Sequence, residues 1–177
     1  IQSQLFLYSS AYISGYLDKP AWFACLSGDF LTQFFFFRFG GPYTISLLIL
    51  ALGIIIYDIL RRFILNGQKL VPCIIALLFM TWELLRNCGT NYELSSTISL
   101  LGGLAAFYIF KSTPNRIKWL GILLIPLFYW LFGYGIFVFI LLLIIDQLRG
   151  KQYIIPVVFT ITSIIIPVAT RQHYHLT

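Results

Sequence analysis

Residues 42–60 read PYTISLLILALGIIIYDIL, a run whose one charged side chain is Asp58, and Arg61-Arg62 close it. Wound as an α-helix at 1.5 Å per residue, the run is about 28 Å long, close to the hydrocarbon core of a bilayer at about 30 Å. It is a membrane-spanning helix by length and composition. The apolar residues do not alternate with polar ones, as they would in the segments of about 10 residues that build a membrane β-barrel. The expected fold is therefore all-α, a polytopic transmembrane helical bundle.

Four more runs repeat the pattern outward from this one: Val71–Asn87, Leu94–Phe110, Ile117–Leu148 and Tyr153–Thr170. The third is too long for one span, since its helix would reach about 45 Å. Gly133-Tyr134-Gly135 supplies a turn within it, which divides it into a hairpin of Ile117–Phe132 and Ile136–Leu148. The expectation is thus about six inserted helices over residues 42–170: 42–60, 71–87, 94–110, 117–132, 136–148 and 153–170. The hairpin arms are short, which places its tip at the headgroup layer. Opening at Ile1 rather than methionine and closing on the polar residues 171–177, the sequence reads as part of a longer chain, with 171–177 as the start of an external linker.

Composition excludes the main soluble classes. Of the 177 residues, 59% are hydrophobic and 10% charged, and the mean hydropathy is +0.88, more apolar surface than a water-soluble domain of this size can hide. The net charge of +6 is a topology signal. Arg61, Arg62, Lys69, Lys111, Arg116, Lys118, Arg149 and Lys151 fall on one side of the expected spans, and with Asp58 and Asp146 they hold the whole net charge. That side is expected to be cytoplasmic, which sends the C-terminus outside. No nucleic-acid partner is needed to explain the basic excess; membrane lipid and other envelope subunits are the expected partners. Asp58 stands before Arg61 and Arg62, and Asp146 three residues before Arg149, spacings that allow local pairing along one helix. Cys25, Cys73 and Cys88 have no metal spacing and read as small buried hydrophobes.

Residues 1–41 are apolar but broken by Ser9, Ser10, Gly15, Asp18, Lys19 and Pro20. Asp29, Thr32 and Gln33 form a stripe at i, i+3 and i+4 on a helix otherwise faced with phenylalanine, which suits an amphipathic segment lying in the membrane interface. An upright crossing, with the stripe buried in the bundle, is the alternative.

Gln4-Leu5-Phe6-Leu7, then Phe30-Leu31-Thr32-Gln33-Phe34-Phe35 leading through Gly40-Gly41 into the long span closed by Arg61-Arg62, resembles a family of multi-pass bacterial inner-membrane proteins. That family is catalogued as a domain of unknown function, chiefly from Bacteroidetes-type bacteria. The resemblance implies a membrane bundle followed by a helical-repeat-like C-terminal region outside the cytoplasm. Ala21-Trp22 stands where the family tends to have glycines, and Ile1-Gln2-Ser3 where it tends to have an acidic residue. No catalytic residue follows from the resemblance.

Ionisable groups in or near a bilayer are the default functional candidates. Asp29, Glu83 and Glu93 are the candidate catalytic residues, carboxylates expected to converge at the external mouth of the bundle. Gln33, Arg86, Asn91 and Tyr92 are the candidate substrate-binding residues around them. Such a site would bind a divalent ion or act as a general base toward a lipid-linked substrate, in the manner of membrane glycosyltransferases that use polyprenyl-phosphate sugars. The bland reading pairs Glu83 with Arg86 at i, i+3 and leaves the rest as solvated flanking charges. No P-loop, HExxH, nucleophile elbow or dinucleotide fingerprint is present, and no cofactor or metal is expected. The leading expectation is an anchoring and assembly bundle for an external domain or envelope complex. The transferase is the second, and a transporter or channel subunit built on the breaks at Pro126, Gly133, Gly135, Pro156 and Pro167 is the third.

Overall fold

A computed structural model describes residues 9–63, 69–89, 93–113, 120–149, 157–158, 160–163 and 165–168. The described residues are helical, with no strand among them. Helix α1 (Ser10–Leu17) and helix α2 (Trp22–Thr32) precede a 3-10 turn at Gln33–Phe36. The bundle follows as α3 (Gly40–Phe63), α4 (Leu70–Asn87), α5 (Leu94–Ser112), α6 (Leu120–Phe132) and α7 (Gly135–Arg149).

Among the described residues three helices, α3, α4 and α5, are long and apolar enough to cross a membrane. This corrects the six expected. With 13 and 15 residues, α6 and α7 are roughly 20 and 22 Å long, short of a hydrocarbon core of about 30 Å. The run expected at 153–170 is helical at 157–158, 160–163 and 165–168. Its remaining positions lie outside the described residues, so no span length attaches to it.

The core runs through the middle of the bundle. Leu52, Ile56 and Ile59 of α3 meet Leu104 and Phe107 of α5, Ile125 and Tyr129 of α6, and Ile136, Phe139, Ile140 and Leu143 of α7. Small residues let helix backbones approach closely. A Cβ built on Gly103 would stand 2.0 Å from the carbonyl oxygen of Gly135, so α5 and α7 are in backbone contact there. Helix α4 packs along α3 and turns most of its surface outward, with Leu70, Leu78, Trp82 and Leu85 all exposed.

The chain reverses between α6 and α7 at Gly133, whose φ of 56° only glycine adopts cheaply. Ser99 of α5 staples this turn, donating to the Phe132 carbonyl and accepting from the Gly135 amide at 3.0 Å. At the opposite end Arg62 donates to the Tyr108 hydroxyl at 2.8 Å, Lys111 meets Asp146 at 2.6 Å, and Arg149 donates to the Phe63 carbonyl at 2.5 Å. The local pairing expected of Asp146 with Arg149 is thereby corrected. Its carboxylate holds α7 to α5, because a lysine on a neighbouring helix comes closer than the arginine one turn away.

The N-terminal segment does not form one continuous striped helix over 21–37. It folds back at Ala21, which takes a left-handed φ of 63°, and the α-helix gives way to 3-10 geometry at Gln33. With 11 residues α2 is about 16 Å long, too short to cross a membrane. The corner at Ala21 rests on the hairpin tip, where a Cβ on Gly133 would come within 2.6 Å of the Ala21 methyl. Trp130 ties the same contact by donating to the Leu17 carbonyl at 2.9 Å, with its ring 5.3 Å from that of Trp22.

Candidate functional site

Glu83 comes from the last turns of α4 and has no exposed surface. Its carboxylate accepts from the Thr97 hydroxyl of α5 at 3.0 Å and from Arg86 at 3.3 Å. Asn87 closes the cluster by donating to the Glu83 carbonyl at 2.8 Å and to the Thr97 hydroxyl at 3.4 Å. The spacing 83, 86 and 87 sets all three side chains on one face of α4. A buried carboxylate is tolerable only with such partners. Arg86 reaches outward from this knot, its side chain 40% exposed.

Beside Arg86 opens a cavity of about 410 Å³, bounded by the α1–α2 corner, α2, the start of α5 and the hairpin tip. Its polar wall carries Arg86, Glu93, Ser95, Ser96, Ser99 and Tyr134, and its apolar wall includes Ala24, Leu100 and Val138. Glu93 is the N-cap residue of α5, and Ser95 donates to its carboxylate at 3.3 Å. Gly28 is the reason α2 can lie so close to this helix start: a Cβ there would stand 2.9 Å from the Ser95 amide.

Of the sequence candidates, Arg86 and Glu93 therefore share one cavity wall, and Glu83 stands behind Arg86. Asp29 does not line the cavity; it accepts a short hydrogen bond from Tyr16 of α1. Gln33 opens the 3-10 turn, also outside the lining. Asn91 and Tyr92 lie outside the described residues. The three carboxylates thus occupy three settings, and no group of three His, Cys, Asp or Glu able to hold a metal ion is found among the described residues. The serines and Thr97 were the missed signal: Ser95-Ser96-Thr97-Ile98-Ser99 opens an otherwise apolar helix with a hydroxyl-rich first turn.

Two groups beside the site are held in their neutral forms. Burial, then the hydrogen bond to Asp29, push the Tyr16 phenol far above its usual range. Burial, followed by the Asp29 and Glu93 carboxylates, raises the Cys25 thiol, with Lys19 opposing. The cysteines do not behave as the buried hydrophobes expected: Cys73 and Cys88 are exposed and Cys25 is half-buried. A raised pKa means less thiolate at neutral pH, and the thiolate is the nucleophile. In a Cys73→Ser background, maleimide at pH 7 is expected to label Cys88 well before Cys25; equal rates would contradict the environment described for Cys25.

In comparisons with known proteins, a family model described as a family of unknown function (DUF6057) matches residues 1–177. No curated protein and no solved structure matches.

Proposed function

The chain belongs to that family of unknown function, and on this footing we propose that it is a bacterial inner-membrane protein whose bundle anchors and assembles an external domain or envelope complex. The observation that carries the reading is how the polar side chains are used. Glu83 with Thr97, Lys111 with Asp146, Arg62 with Tyr108 and Arg149 with Phe63 each brace one helix against another. Groups consumed in this way make a rigid scaffold. The positive-inside rule assigns the end carrying Arg62, Lys111 and Arg149 to the cytoplasm, which turns the cavity and Tyr134 outward. The short α2, with Phe23 and Phe30 exposed, and the 3-10 turn after it, with Phe34 exposed, then lie in the outer interface.

A second reading, a transferase acting on a lipid-linked substrate, is favoured by one feature, the Glu93 carboxylate on a cavity wall beside Arg86. Complementation of a deletion strain separates the two. Glu93→Gln is expected to restore the deleted function in full, as an anchor requires. A folded, membrane-inserted Glu93→Gln protein that fails to complement would replace the anchor by the transferase. Orientation is checked independently by cysteine labelling of intact cells: a cysteine replacing Tyr134 should react from outside and one replacing Arg149 should not.

A further inference from the structure

The cavity at the hairpin tip has a charge pattern that selects its ligand, whether the bundle anchors or catalyses. Its volume of about 410 Å³ lies in the range of about 300–1,000 Å³ typical of small-molecule sites. Among the described residues its lining carries one cation, Arg86, and one carboxylate, Glu93. Arg86 already neutralises the buried Glu83 at 3.3 Å, so the three groups together are formally short of positive charge. A phosphomonoester or pyrophosphate would bring two or more negative charges against Glu93 with a single guanidinium to offset them. A phosphodiester that carries an ammonium group meets both charges in kind.

The lining supplies a partner for each end of such a head group. Arg86, with the hydroxyl of Ser96 on the first turn of α5, forms an anion-binding side, and the positive end of the helix dipole adds to it. Glu93, at the N-cap of the same helix, is an acceptor for N–H donors. Among the described residues of the lining Tyr134 is the one aromatic, whereas Glu93 offers a carboxylate that accepts from N–H donors. The amine is therefore one that donates hydrogen bonds. Leu100 and Val138 continue the wall in apolar character, suited to the glycerol and first methylenes of a lipid.

We propose that this cavity binds the head group of an aminophospholipid of the phosphatidylethanolamine type, phosphate against Arg86 and Ser96, ammonium against Glu93. The test is competition binding on the purified full chain in detergent, followed by native mass spectrometry. The probes are phosphatidylethanolamine, phosphatidylcholine, phosphatidylglycerol and soluble glycerophosphoethanolamine. Phosphatidylethanolamine is expected to bind about tenfold tighter than the other two lipids, the worth of one charge-assisted hydrogen bond. Glu93→Gln, a change at an exposed helix start, should erase that preference while leaving the melting temperature in place. Val138→Trp, which fills the cavity from its apolar side, should weaken all three lipids. A wild-type protein indifferent to head group, or a Glu93→Gln protein that keeps the preference, would overturn the proposal. Soluble glycerophosphoethanolamine binding as tightly as the lipid would overturn the lipid assignment in favour of a free phosphoamine.

Discussion

Gly103→Ala is expected to be among the most damaging single-methyl changes the bundle can suffer. The added Cβ would stand 2.0 Å from the Gly135 carbonyl oxygen and 2.8 Å from its carbon. Both are backbone atoms of α7, so no rotamer change relieves the clash and the two helices must separate. Overpacking of this kind costs about 1–3 kcal/mol and more where backbone has to move; the upper end is expected. Gly102→Ala meets the ring of Phe132 at 2.2 Å instead, a side chain able to swing aside, and should cost less. Gly15→Ala on α1 meets nothing within 4 Å and should be neutral or stabilising by up to about 1 kcal/mol through helix propensity. Thermal unfolding in detergent, followed by circular dichroism, should rank the three in that order. A Gly103→Ala protein melting with the wild type would mean that α5 and α7 are not in backbone contact.

Arg86→Ala is expected to destabilise the bundle more than Glu83→Met, although the second change removes the more deeply buried residue. Removing Arg86 strips the ion-pair partner from a carboxylate with no exposed surface. Breaking a fully buried pair costs about 3–5 kcal/mol; the guanidinium here is 40% exposed, so the expected loss is lower, about 2 kcal/mol after solvent screening. Glu83→Met removes the charge and fills a similar volume, which is often neutral or stabilising at buried ion pairs. Melting temperatures of the two variants in the same detergent decide the point. Glu83→Met melting below Arg86→Ala would show that the carboxylate contributes more as a helix-to-helix bond than it costs as a buried charge.

How much of this was legible beforehand differs between fold and site. The apolar runs over α3, α4 and α5 could be read directly, because a helix able to span a membrane must be predominantly apolar over its length and composition alone reveals it. Glu83 and Arg86 were legible as partners because i, i+3 spacing is a property of one helix. Asp146 was misread for the same reason: the local rule offered Arg149, and only packing brought Lys111 within 2.6 Å. The cavity was half visible. Arg86 and Glu93 were candidates, whereas Ser95, Ser96, Ser99 and Cys25 were not, since nothing in a linear pattern says that α2 will lie across the start of α5.

By itself, then, the sequence determined the helical class, three of the six expected spans as membrane-compatible helices and the reversal marked by Gly133, all properties set within about twenty consecutive residues by hydrophobicity and backbone sterics. Tertiary structure decided the rest. It set the backbone contact at Gly103, withdrew Asp29 to Tyr16, enclosed Glu83, and brought Arg86 and the serines of α5 into one cavity lining. Those outcomes depend on which helix faces pack together, and that is settled by complementarity between segments far apart in the chain, which no local pattern encodes.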